Sequence, residues 1–265
     1  MKLNLSIFMF FVLWINQISA QPEILEKNIS EAFGNIVGGI VFIDADNKKI
    51  SYNETLIEEK FPPCSTFKIW NALIGLEYGI ITSPDEKFYT WDGVTRSIPD
   101  WNKNLILREA FKVSCVPAFQ NLARKIGNKS MQKWIDSINY GDRDISSGID
   151  DFWLPRKDKK SILISAKEQV KLISKLINKQ LPFKESSINT LKKLMLVDSM
   201  PAGKFYGKTG SGTDYNLNTD IGWFVGFAEL ENGIIYFACI VTGDNLSGID
   251  AKKIVKAILV KSNLM

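Results

Sequence analysis

No histidine occurs anywhere in the 265 residues. A Ser-His-Asp triad is therefore excluded, because its base is an imidazole. Cysteine is scarce too: Cys64, Cys115 and Cys239 are the whole complement. Three thiols without histidine make a poor zinc ligand set, so no metal is expected. They are also too few for a disulfide framework, and an odd number leaves at least one unpaired. Three small buried residues is the simplest reading of them. Any hydrolytic base must come from Lys, Glu, Asp or Tyr.

Other absences narrow the field. The net charge is +4, the cations are spread along the chain, and no run of five or more like charges occurs. Nucleic acid is therefore not an expected partner. No apolar stretch reaches the ~20 residues that a spanning helix needs. A nine-residue apolar block at residues 7–15 follows Lys2, the only charge among the first twenty residues. Ile18-Ser19-Ala20 then offers a small residue ahead of Gln21. This is the layout of a cleaved secretory signal over residues 1–20. It predicts export, to a periplasm, of a single catalytic domain over 21–265 that keeps no membrane span. Without Lys2, 32 basic and 29 acidic residues remain, a net charge of +3.

What is present reads as an α+β chain. A helix is expected over 23–33. Strands are expected over 37–44 and 48–52, joined by Ala45-Asp46-Asn47. Residues 67–78 are apolar at helical spacing and stop at Gly79. Residues 82–104 look mostly like loop. Helices are expected over 105–112, 116–126 and 129–139, with Pro117 and Gly127 marking the ends of the second. A polar loop follows over 141–160 and contains Phe152-Trp153-Leu154. Ser165 and Glu168 form a capping box that opens a helix to about Asn178. Residues 187–197 read as helix, and 211–220 as a flexible stretch. Strands over 221–230 and 234–242 flank Asn232-Gly233, a hairpin signal. An amphipathic helix closes the chain over 249–260. Strands near both ends with helices between them predict a mainly antiparallel sheet flanked by helices, with an all-helical lobe inserted.

Three short motifs carry chemistry: Ser65-Thr66-Phe67-Lys68, Ser114-Cys115-Val116 and Lys208-Thr209-Gly210. S-x-x-K alone is weak. It recurs as Ser130-Met131-Gln132-Lys133, which reads as a helix N-cap with a solvated lysine. In the first copy, Ser65 opens an apolar helix and Lys68 lies one turn on, on the same side. A helix N-terminus favours negative charge on the serine oxygen. Apolar neighbours lower a lysine pKa and leave a neutral amine able to act as base. A capping serine beside a snorkelling lysine is the bland alternative. The order of the motifs weighs against it. Ser114 follows Ser65 by 49 residues and Lys208 follows by a further 94, the order found in penicillin-recognising serine enzymes. Lys208 would attract an anionic substrate, and the Thr209 hydroxyl would hold its carboxylate. Glu185 and Asn189 make a water-holding E-x-x-x-N pattern, but they read as the solvated first turn of a helix.

From about residue 37 to 260 the chain resembles class D (OXA-type) β-lactamases. The resemblance rests on Ser65-Thr66-Phe67-Lys68-Ile69, Ser114-Cys115-Val116, Tyr140-Gly141 and Phe152-Trp153-Leu154. It rests also on residues 164–169 (Ile-Ser-Ala-Lys-Glu-Gln), Gly207-Lys208-Thr209-Gly210 and residues 222–226 (Gly-Trp-Phe-Val-Gly). It implies hydrolysis of β-lactam antibiotics through a Ser65 acyl-enzyme, with no metal or organic cofactor. It implies that Lys68 carries a carbamate made from CO2, an N6-carboxylysine. Val116 would present an apolar wall to Lys68, and Trp153 would offer its indole N–H to the carbamate. Ser114 would relay a proton to the leaving nitrogen. The backbone N–H groups of Ser65 and Ser211 would hold the oxyanion, with Lys208, Thr209 and Gly210 lining the substrate site.

The chain departs from that pattern at two places. Tyr140-Gly141 is followed by Asp142, where the family usually has Asn. No arginine occurs after Arg156, so Lys208, Thr209, Ser211 and Ser247 are left to bind the substrate carboxylate. Two rival functions share these motifs. One is a penicillin-binding sensor that stays acylated, and the other is a peptidase acting on D-Ala-D-Ala. The sequence leaves open whether copies of the chain associate.

Overall fold

The computed structural model describes Ile24 and residues 26–200, 202–231 and 233–265. The proposed signal segment lies outside these residues. The chain begins with α1 (Glu26–Phe33), β1 (Gly38–Ile43), β2 (Lys49–Tyr52), α2 (Glu54–Glu58) and β3 (Lys60–Phe61). A 3-10 turn, Cys64–Phe67, runs directly into α3 (Lys68–Glu77). The middle holds β4 (Lys87–Tyr89), β5 (Leu105–Ile106), α4 (Leu107–Lys112), α5 (Val116–Ile126) and α6 (Asn128–Ile138). After a long loop come β6 (Ile164–Ser165), α7 (Ala166–Ile177) and α8 (Glu185–Met195). The chain ends with β7 (Leu196–Met200), β8 (Gly203–Asp214), β9 (Thr219–Leu230), β10 (Gly233–Thr242) and α9 (Gly248–Lys261).

One antiparallel sheet, in the order β2-β1-β10-β9-β8-β7, organises the molecule. The N-terminal strand β1 lies beside the late strand β10, so the sheet is built from both ends of the chain, as expected. Its strands are long apolar runs because both faces are covered. One face packs on α1 and α9 through Phe33, Phe205, Phe224, Phe237, Ile254 and Ile258. The buried residues of α9 (Ala251, Ile254, Val255, Ile258 and Leu259) recur at helical spacing, which gives that helix one apolar stripe for the sheet. The other face meets α7, and beyond it lies the helical lobe, in a single larger core. The lobe is helical apart from a short β4–β5 ladder.

Four details differ from the sequence reading. Residues 187–197 do not stay helical: α8 stops at Met195, and Leu196–Met200 becomes the edge strand. The run Leu-Met-Leu-Val is apolar throughout, so periodicity alone cannot mark that boundary. Residues 211–220 are not a flexible stretch, since β8 runs to Asp214 and β9 starts at Thr219. Asp214 Oδ1 accepts from the backbone N–H of Asn216 and Leu217, and Thr213 Oγ1 donates to Asp220. These bonds close a hairpin from residues that look like loop by composition. Leu105 and Ile106 are strand, and helix starts only at Leu107. Ser130 is inside α6, whose N-cap is Gly127, so it is not a cap.

Strand β9 and helix α9 touch at Gly222. A Cβ there would come within 2.2 Å of the Ser247 carbonyl carbon and oxygen. That neighbour is backbone at the start of α9 and cannot rotate away. Gly222→Ala is therefore expected to destabilise the protein by about 2–3 kcal/mol, the upper part of the usual overpacking range. Urea unfolding, with the midpoint shifted and the slope unchanged, measures it; a loss under about 0.5 kcal/mol contradicts this packing.

Candidate active site

Ser65 stands on the second residue of the 3-10 turn, just ahead of α3. The residue before it, Cys64, has φ +51, and Ser114 has φ +55. Most residues with positive φ in this chain are Asn or Gly; a cysteine and a serine in that region carry strain. Both strained residues belong to the motifs singled out by sequence. At Cys64 the kink separates Pro63, which is in the right-handed helical region, from Ser65 in the 3-10 turn. At Ser114 it stops α4 and starts α5, with Cys115 N–H donating to Ala110 O at 2.9 Å. Trp101, whose importance the sequence did not show, holds this turn by donating Nε1–H to Val113 O at 2.9 Å.

Lys68 Nζ donates to Ser65 Oγ at 2.9 Å. Lys68 is wholly buried, and its Nζ lies 5.5 Å from the Phe119 ring centroid. Burial pulls the amine down from 10.5 to about 7, against smaller opposing effects of Cys115 and Cys64. A neutral amine at this distance can accept the serine proton. The neighbouring thiols are poor rivals as nucleophiles, since burial pushes both Cys64 and Cys115 up. All three cysteines are buried and free, as the sequence suggested.

Strand β8 faces this pair across the cleft. Lys208 Nζ donates to Ser114 Oγ and to the Thr209 carbonyl, the latter at 3.0 Å. Burial first, then Lys68 and Lys252, holds the Lys208 amine well below its ordinary value. Gly210 is the point of closest approach: a Cβ there would meet Pro63 O at 2.9 Å and Thr66 N at 3.1 Å. The glycine of the K-T-G motif thus lets β8 lie against the Ser65 turn. Trp223 on the neighbouring strand pins the same turn from below, donating Nε1–H to Pro62 O at 2.9 Å. Thr66 Oγ1 anchors it internally through Pro63 O at 2.7 Å and Gln169 Oε1 at 3.3 Å.

Val116 opens α5 and packs, half-buried, on the main core. Trp153 is fully buried on the long loop, stacked on Phe67 at 5.6 Å between centroids and edge-on to Phe152. Its indole Nε1–H has no hydrogen-bond partner among the described residues. A buried donor left without an acceptor is unusual. No group of three or more His, Cys, Asp or Glu side chains among the described residues could hold a metal.

Ser211 and Ser247 are less free than the sequence suggested. Ser211 Oγ accepts from Gly248 N–H at 2.9 Å. Ser247 caps α9, accepting from Ile249 N–H and donating to Asp250. The Ser247 O–H is spent on Asp250, so that hydroxyl does not stand in for the absent arginine, whereas the Ser211 O–H remains free to donate. Asp142 has a structural place: its Oδ1 accepts from Leu163 N–H at 3.1 Å and Asp144 N–H at 3.2 Å. Glu185 lies in the first turn of α8 and pairs with Lys179, and Lys133 is exposed, so neither decoy belongs to the site.

Comparison with known proteins agrees with this geometry. The sequence matches the penicillin binding protein transpeptidase domain over residues 29–260. It is 35% identical over 245 residues to the probable β-lactamase YbxI of Bacillus subtilis, covering 92% of this chain and 87% of that one. The solved class D β-lactamase from Bacillus subtilis superposes with a TM-score of 0.83 at 34% identity, covering 92% of this chain and 98% of that chain. The regulatory protein BlaR1 of Bacillus licheniformis is 34% identical over 229 residues, which are 86% of this chain and 37% of that protein. With its fold, its three motifs in order and these relatives, the chain belongs to the class D β-lactamases of the penicillin-binding transpeptidase family.

Proposed function

We propose that this chain hydrolyses the amide bond of β-lactam antibiotics, and so confers resistance, through an acyl-enzyme on Ser65. The observation that carries the reading is the wholly buried Lys68, with its amine held near neutrality 2.9 Å from Ser65 Oγ. Ser65 Oγ attacks the lactam carbonyl while its proton passes to the Lys68 side chain. The backbone N–H groups of Ser65 and Ser211 bind the oxyanion. The C–N bond breaks, and Ser114, hydrogen-bonded to Lys208, delivers a proton to the leaving nitrogen. Thr209 holds the ring carboxylate. Water then attacks the ester, releases the opened carboxylate product and restores the serine hydroxyl.

CO2 added to Lys68 as a carbamate would supply an anionic general base beside Ser65. The residues present suit it. Only a neutral amine adds CO2, and burial lowers Lys68 to about 7, so a neutral fraction is present near that pH. Trp153 has an unused indole donor for the anion, and Val116 and Phe119 limit water. Export through a signal over residues 1–20 is part of the same proposal. Among the described residues no helix is long and apolar enough to cross a membrane.

The nearest rival reading is a receptor that acylates and stays acylated, which the likeness to BlaR1 makes concrete. Time-resolved mass spectrometry with benzylpenicillin separates the two. The expected record is a transient adduct on Ser65 with steady accumulation of opened product; an adduct that persists after the free drug is gone identifies a receptor. Ser65→Ala should show neither adduct nor turnover, and near wild-type hydrolysis by that variant would remove Ser65 from the mechanism.

The pH dependence has a defined sign. The Lys68 amine is lowered to about 7, so it is increasingly protonated as pH falls through that value and then no longer takes up CO2. Protein held near pH 6 without bicarbonate should lose turnover and accumulate acyl-enzyme, and added bicarbonate should restore turnover in the same sample. Trp153→Phe, which deletes the donor but keeps an aromatic ring, should raise the bicarbonate needed for half-recovery by roughly tenfold, the size of a lost hydrogen bond to a charged group. Turnover indifferent to bicarbonate at every pH would make the free amine the base.

A further inference from the structure

A cavity of about 390 Å³ opens at the Lys208 end of the cleft. It lies along the edge of β8 that β7 leaves uncovered, since β7 pairs with Gly203–Tyr206 and the cavity wall takes up Gly207, Lys208 and Thr209. Cations from three helices line it: Arg108 and Lys112 from α4, Lys193 from α8 and Lys252 from α9. Glu109 is the only carboxylate on the wall, and its Oε2 is already accepting from Ile106 N–H. Arg108 is held by Asp85. Among the described residues, Lys112, Lys193 and Lys252 make no ion pair, although this chain pairs many of its other lysines. The nearby Asp198 pairs with Lys256 at 3.0 Å and feels Lys252 only as a weaker, longer-range attraction.

Unpaired cations of one sign around a concave site focus a positive field. Lys208 is a weak source of that field, because it is buried and committed to Ser114 and Thr209. Of the lysines that surround it, Lys112 and Lys193 are exposed and Lys252 is half-buried.

The path of the substrate decides what meets this cavity, and here the argument rests on Ser65 being the acylated nucleophile. The lactam carbonyl lies between the N–H groups of Ser65 and Ser211. The lactam nitrogen points to Ser114, and the ring carboxylate one atom further on points to Lys208 and Thr209. In that pose a substituent on the ring carbon next to the carboxylate would extend past Thr209, whose far side is part of the cavity wall. The cavity is large enough for such a group.

We propose that this cavity is an anion subsite that accepts a carboxylate borne on the ring substituent, so that the enzyme favours dianionic β-lactams over monoanionic ones. Lys112, Lys193 and Lys252 are its specificity-determining residues. They act on a part of the substrate that does not react.

The test compares two cephalosporins with the same acylamino side chain. One carries a C3 arm ending in a carboxylate, and the other a C3 arm of the same length ending in a carboxamide. Wild-type enzyme should show a kcat/KM ratio of about five or more in favour of the carboxylate at low salt. The ratio should shrink towards one at about 0.5 M NaCl, since exposed charges are screened. The combined variant Lys112→Ala/Lys193→Ala/Lys252→Ala should lose the preference, and Lys252→Glu should reverse it, with melting temperatures checked to exclude unfolding. Lys112 and Lys193 are exposed and Lys252 is half-buried, with no ion pair among the described residues, so the variants are expected to fold. A wild-type ratio near one, or a ratio unchanged in both variants, overturns the subsite while β-lactam hydrolysis stands. If the wild-type protein hydrolyses neither compound, the reading of Ser65 fails and the subsite fails with it.

Discussion

Lys68 has none of its surface in water, and its amine is held against the nucleophile with no carboxylate beside it. Keeping a lysine neutral near pH 7 against an ordinary value of 10.5 corresponds to about 5 kcal/mol. That exceeds what one hydrogen bond to Ser65 returns. The lowered lysine reduces stability at low pH, and because it binds fewer protons folded than unfolded between about pH 7 and 10.5, the deficit shrinks as pH rises through that range. Positive φ at Cys64 and Ser114 adds strain of order 1 kcal/mol or more at each. The site is thus a local expense of free energy, and the surrounding fold must hold it in place.

The holding is done from three sides. Trp223 on β9 and Gly210 on β8 lock the Ser65 turn to the sheet. Gln169, on a helix opened by the Ser165–Glu168 capping box, reaches Thr66 from the opposite side. Trp101 fixes the turn that carries Ser114. Two of these anchors are tryptophan N–H groups reaching backbone carbonyls, an arrangement that combines a large buried ring with a directional bond. Because sheet and helical lobe share one core, the two halves of the cleft cannot drift apart without exposing it.

Much of this was legible from residues alone, for physical reasons. S-x-x-K at a helix start places serine and lysine on one side through helical spacing, and that spacing survived the small change from α-helix to 3-10 turn. The hairpin that ends in Gly233 and the Ser165–Glu168 box are local signals, and local signals read well. The failures came where tertiary context decides. Leu196–Met200 is a strand because β8 offers an edge to pair with, and Ser211–Asp214 continues a strand despite its loop-like composition. Ser247 looked free as a carboxylate ligand, and only the capping of α9 shows that its hydroxyl is spent on Asp250. Lys252 was invisible for the opposite reason. It is one lysine among many, and its place beside Lys208 depends on how α9 lies on the sheet.

The central claim is that Lys68 works as a neutral, buried amine able to carry CO2. Carbon-13 NMR of the protein in ¹³C-bicarbonate reads this directly, with Lys68→Ala as the control. The account predicts a single slowly exchanging carbamate resonance in the wild-type protein. It should be absent from the control and should fade as pH is lowered through about 7, the value to which burial brings the amine. A wild-type spectrum without that resonance at pH 8 and saturating bicarbonate contradicts it.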